Sequence, residues 1–154
     1  MKFIKRYCWV LVALIILFIF MNSFTPAISS KELSSTVTTF VYQQLSNLHI
    51  QTEYETLHHF IRKLAHFSEY SFLGFVIAYA CLNKPFVKSK IVNFGFFFIV
   101  PCIDESIQWF TPGRSCEFTD VLIDSSGIVF GCLVFLLLLK LVNKYKFHKQ
   151  KKEV

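Results

Sequence analysis

Four apolar runs, each close to the length of a bilayer crossing, constrain this chain more than any other feature. They cover about residues 7–24, 63–82, 91–110 and 121–139. A helix needs ~20 apolar residues to cross ~30 Å of hydrocarbon. The second and third runs reach that length only with their charged ends included. The chain is 54% hydrophobic and 17% charged, whereas soluble domains carry ~25% charged residues. The expectation is a single domain, residues 1–154. Its predicted fold class is all-α, an integral membrane four-helix bundle with an outer amphipathic segment between the first and second crossings.

The basic residues set the orientation. With the N-terminus in the cytoplasm, 12 of the 16 Lys and Arg lie inside, leaving Lys31, Arg62, Lys63 and Arg114 outside. That asymmetry follows the positive-inside rule, so both termini are expected to be cytoplasmic. The tail, residues 140–154, reads as a solvated basic flank, with anionic lipid contact as the sharper reading. The net charge of +6 gathers beside apolar runs instead of forming a soluble basic face, which argues against nucleic acid. The first run also has the outline of a signal peptide, but it is long for one and shows no clean small-x-small site. It is expected to remain as an anchor. The five cysteines form no zinc spacing and no disulfide framework.

Residues 25–61 form the long outer connection. Ser29 and Glu32 make a capping box, followed by Leu33, Val37, Phe40, Val41, Leu45 and Leu48 at helical spacing. This predicts an amphipathic helix lying on the outer membrane surface or packed over the bundle. Thr52 and Glu55 repeat the capping pattern before the second crossing. His49, His58 and His59 are expected to be solvated.

Ionisable residues interrupt the apolar runs, and each costs at least ~2.5–3.5 kcal/mol in hydrocarbon. Arg62, His66, Glu69 and Leu73 share one helix face, with Tyr70 one step round. Asp104 and Gln108 are four apart on the next crossing, with Glu105 beside Asp104. Asp120, Asp124, Gly127 and Gly131 form a stripe on the last, and the two glycines make a small-xxx-small pair that admits a close helix neighbour. At ~1.5 Å per residue, Glu69, Asp104 and Asp124 lie ~21, ~20 and ~24 Å above the inner ends of their runs. One outer level therefore holds all three. Thr111-Pro112-Gly113-Arg114 reads as a tight turn that returns Arg114 over the bundle mouth.

The predicted ligand-binding set is Arg62, His66, Glu69, Tyr70, Asp104, Glu105, Gln108, Arg114, Asp120 and Asp124. Catalytic candidates are His66, Glu69, Asp104 and Asp120. Plainer roles compete. Glu69 pairs with Arg62 or His66, His66 packs through a hydrogen bond, Asp104 and Glu105 end their helix, and Gln108 and Trp109 sit at the interface. No cofactor and no metal is expected, although His66, Glu69, Asp104 and Asp120 are suitable donors for a divalent cation.

Three segments resemble the VanZ-like family. They are Arg62-Lys63-x-x-His66-x-x-Glu69-Tyr70-x-x-Leu73-Gly74, Asp104-Glu105-x-x-Gln108-x-Phe110-x-Pro112-Gly113-Arg114, and Asp120-Val121-x-x-Asp124-x-x-Gly127-x-x-x-Gly131. The motif-bearing region is thus 62–131. The family usually has Asn where this chain has Asp124, which adds a negative charge to be neutralised by a proton, Arg62 or Arg114. The resemblance implies a small multi-pass protein of the bacterial cytoplasmic membrane, linked to lower susceptibility to teicoplanin, a lipid-bearing glycopeptide. Its expected partners are the lipid bilayer and a lipid headgroup, lipid-linked precursor or surface polymer. An envelope protein that binds or alters such a ligand is the first reading. A membrane-embedded enzyme acting on a lipid-linked phosphate or glycan is the alternative. A small proton-coupled transporter comes third, because the chain has no midplane charge.

Overall fold

A computed structural model describes residues 2–25, 27–83, 90–112, 114 and 117–152, excepting the side chains of 2–6, 27–33, 90–97, 147 and 150–152. Among these residues the chain is all-α. Its five helices are α1 (Lys2–Ser23), α2 (Ala27–Asn47), α3 (Tyr54–Asn83), α4 (Lys90–Trp109) and α5 (Phe118–Lys152). Four of them carry the apolar runs, and α2 lies in the outer segment predicted to be amphipathic.

The α3–α5 pair is the most extensive contact. Glycine makes it possible at two reciprocal points. A Cβ on Gly131 of α5 would collide with the Ser71 carbonyl oxygen of α3, and one on Gly74 of α3 would collide with the Ile128 carbonyl oxygen of α5. The small-xxx-small pair predicted on the last crossing therefore meets α3. Cys132 Sγ donates to the Gly74 carbonyl at 3.2 Å across this seam. α3 is central, with α1 and α2 also packed on it, and α4 touches α1 and α5. The core follows helical spacing, with Tyr70, Leu73, Ile77 and Ala80 on α3 facing Cys8, Val12 and Ile19 on α1 and Ile128 on α5.

The outside of the bundle is apolar. Leu14, Leu17, Phe18 and Met21 of α1 and Leu133, Leu137 and Leu141 of α5 are all exposed. The stretch Phe118–Lys146 is long and apolar enough to cross a membrane, and only 28% of its most apolar window is buried inside the protein. A soluble core helix would be mostly covered. Tyr7–Ser23 is a shorter apolar helix.

α3 begins at Tyr54, before its apolar run, as the Thr52 and Glu55 pattern predicts, with Leu57 N–H bonded to the Glu53 carbonyl at 3.0 Å. Other local expectations shift. α5 continues through the basic tail to Lys152, because lysine is a good helix former and its head stays in water. α2 meets α3 through a polar edge. Thr38 is fully buried, and Ser34 Oγ lies 2.8 Å from His58 Nε2. His58 is therefore buried, not solvated, while His49 and His59 are exposed. Val37, Phe40 and Leu48 face outward. The side chains of the Ser29–Glu32 capping box lie outside the described residues, as do Gly113 and Cys116.

Candidate functional site

The end of α1, the end of α4 and the start of α5 meet the upper half of α3, and the polar residues gather there. Asp104 is fully buried although it is charged in type. Ser23 Oγ, on the last residue of α1, donates to Asp104 Oδ1 at 2.6 Å, and Gln108 Nε2 donates to Asp104 Oδ2 at 3.2 Å. The i, i+4 spacing on α4 thus orients the carboxylate from its own helix, and α1 fixes it from across the bundle. Thr111 Oγ1 donates to the Ser23 carbonyl at 2.9 Å, which ties the α4–α5 loop to the same point. The N–H of Arg114 donates to the Thr111 carbonyl at 3.2 Å and closes the expected turn.

Arg114 does return over the bundle mouth. Its Nη2 donates to the Asn22 carbonyl at 3.2 Å. With Arg62, His66, Glu69, Asn22 and Ser34 it lines a half-open cleft of about 340 Å³. Burial, and then the like charge of Arg62, lowers the pKa of the Arg114 guanidinium, whereas Asp104, Glu105 and Glu69 act the other way. Glu69 accepts a hydrogen bond from Asn22 Nδ2 at 3.5 Å and forms no ion pair with Arg62 or His66 among the described residues.

Beneath the cleft, donor atoms of His66, Asp104 and Asp124 lie within 4.8 Å of one another. Tyr70 is fully buried beside them. Asp124 is 1% exposed, and neither of its carboxylate oxygens has a hydrogen-bond partner among the described residues. It is therefore paired with neither Arg62 nor Arg114.

Two expected members of the set lie apart. Asp120 accepts a hydrogen bond from Lys63 Nζ at 2.8 Å, and Glu117 lies 3.5 Å from the same ammonium. Asp120 thus belongs to an ion pair on the flank, which removes it from the cation quartet drawn from sequence. Glu105 is buried and accepts from the Glu117 N–H at 3.2 Å, fastening α4 to the start of α5. Neither Asp104 nor Glu105 serves as a helix end. Gln108 is buried, while Trp109 is exposed at the end of α4. Asn22 and Ser23 were not singled out from sequence. Their signal was two polar residues placed at the end of an apolar run.

These features define a class: an all-α protein with a membrane-length apolar helix and a polar cluster buried where its helices end. More narrowly, the VanZ/LLP1 family model matches residues 8–139, and the chain belongs to that family. The match takes in every site residue from Asn22 to Asp124. No curated protein and no solved structure matches the chain.

Proposed function

We propose that the chain is a single-domain, multi-pass protein of the bacterial cytoplasmic membrane, with both termini inside and the Arg62–Arg114 cleft facing outward. The cleft binds the anionic headgroup of a surface lipid, lipid-linked precursor or polymer, and so lowers susceptibility to a glycopeptide such as teicoplanin. The membership in the VanZ/LLP1 family supplies the glycopeptide setting. The basic asymmetry of the sequence supplies the orientation.

The observation that carries the reading is the two arginines on one cleft. Two guanidinium groups against the single carboxylate of Glu69 leave the mouth positive, which favours an anion there. Arg114 uses one N–H on the Asn22 carbonyl and keeps others for a ligand. A planar guanidinium suits bidentate capture of phosphate. A second reading has its own support. His66 and Glu69 line the same cleft, so an acid–base pair faces the place where a phosphate would sit, as an enzyme on a lipid-linked phosphate requires.

The test compares Arg62→Ala, Arg114→Ala and the double variant, each expressed and inserted at the parent level. Loss of the teicoplanin phenotype in the double variant is expected. An unchanged phenotype rejects the cleft as the site. Changed lipid or cell-wall precursor pools that revert in Glu69→Gln and His66→Ala favour the enzyme. For orientation, Cys116 should react with an impermeant thiol reagent on intact cells; reaction only after lysis reverses the topology.

A further inference from the structure

We propose that His66, Asp104 and Asp124 form a binding site for one first-row divalent metal ion, Zn²⁺ or Mn²⁺, in the floor beneath the cleft. The three residues come from three helices, α3, α4 and α5, and their donor atoms lie within 4.8 Å of one another. Tetrahedral ligation at ~2.0–2.1 Å places donors ~3.4 Å apart, so side-chain movement on the order of 1 Å closes the set on one ion.

Asp124 is the independent observation. It is 1% exposed, and both of its oxygens lack a partner among the described residues. A buried carboxylate of this kind normally has donors around it. The neighbouring cations do not reach it. Lys63 holds Asp120 and Glu117, and Arg114 reaches the Asn22 carbonyl. A second carboxylate, Asp104, stands beside it, and a positive centre between the two would relieve both. His66 Nδ1 is likewise buried and, among the described residues, unpartnered.

The donor types select the metal. Two carboxylates alone suit Mg²⁺ or Ca²⁺, but an imidazole nitrogen shifts preference toward first-row ions. Asp104 has the support that metal ligands usually receive. Ser23 and Gln108 each donate to a different oxygen and so orient the carboxylate. Three protein ligands leave a position for water or an anion. The site does not depend on the cleft's binding an anion.

The test uses the full chain in nanodiscs, stripped with chelator and titrated with Zn²⁺ alone. One equivalent should bind tightly and raise the thermal unfolding midpoint. Asp124→Asn, close in shape to the parent, should weaken binding at least about 100-fold, given that lost supporting contacts alone cost 10–100-fold. Asp120→Asn should bind as the parent does. With Mn²⁺ in place of Zn²⁺, pulsed electron paramagnetic resonance should show a nitrogen coupling that His66→Ala abolishes while circular dichroism stays helical. Absence of stoichiometric Zn²⁺ binding, undiminished binding by Asp124→Asn, or a nitrogen signal that survives His66→Ala overturns the proposal.

Discussion

Replacing Gly131 with Ala tests whether the site depends on the α3–α5 seam. The new methyl would collide with the Ser71 carbonyl oxygen and lie 2.7 Å from its carbon and 2.8 Å from Phe75 N. Carbon contacts normally sit at ~3.5–4.0 Å. The obstructing atoms are backbone inside a helix, so they cannot rotate away, and α5 must shift by about 1 Å. Ala gains ~0.8–1.0 kcal/mol of helix propensity over Gly. Overpacking of ~1–3 kcal/mol opposes it. Because backbone meets backbone here, the upper part of that range applies, and a net loss of about 1–2 kcal/mol is expected. At ~2–4 °C per kcal/mol, the unfolding midpoint of the purified protein falls by about 2–8 °C. Asp124 lies seven residues along the same helix, ~10 Å away, so the movement should also disturb the buried cluster. Gly127→Ala provides the internal scale. Its Cβ would meet Phe67 O at 2.7 Å and Tyr70 Cβ at 3.1 Å, a milder overlap. A Gly131→Ala protein as stable as the parent, or a Gly127→Ala protein less stable than Gly131→Ala, refutes the reasoning.

Two further perturbations probe what holds the site. Ser23→Ala removes the 2.6 Å donor to Asp104 and should cost ~1.5–3 kcal/mol in unfolding measurements, as expected for a buried hydrogen bond to a charged group; a loss below ~0.5 kcal/mol rejects the link between α1 and α4. Lys63→Ala breaks the partly exposed pair with Asp120 and Glu117 and should cost no more than ~1 kcal/mol. Its effect on the unfolding midpoint should shrink at ~1 M salt, and a salt-independent effect points instead to lost packing of the lysine stem.

How much of this was legible in the sequence depended on the length scale of the signal. Helices were readable because apolar runs of membrane length and the spacing of Arg62, His66 and Glu69 depend only on local periodicity. The meeting of Asp104 and Asp124 was readable because rise per residue is fixed. Partner choice was not, since it depends on helix rotation. Lys63 and Arg62 are neighbours in sequence and ~100° apart on the helix. That step places Lys63 over Asp120 and leaves Arg62 on the cleft. His58 was misjudged for the same reason. Nothing local shows that α2 folds back and brings Ser34 to it. Ser23 was hidden because it works as a donor across the bundle, 81 residues from Asp104.

The charges sort by depth in a way that bears on what the bundle end can do. Lys63 pairs with Asp120 and Glu117 on the flank, where pairing is cheap and worth little. Arg62 and Arg114 face the cleft with an excess of positive charge. Asp104 and Asp124 lie beneath with an excess of negative charge, and His66 belongs to both layers. A purely structural network would place the arginines on the buried acids, since a charge in an apolar interior costs most when unpaired. Here Arg114 instead donates to a backbone carbonyl, and Asp124 receives no hydrogen bond among the described residues. The two layers are held apart by α1, whose Asn22 and Ser23 occupy one group from each: the Asn22 carbonyl takes Arg114, and the Ser23 hydroxyl takes Asp104. Separated opposite charges that do not neutralise each other leave room for ligands of opposite sign, an anion above and a cation below.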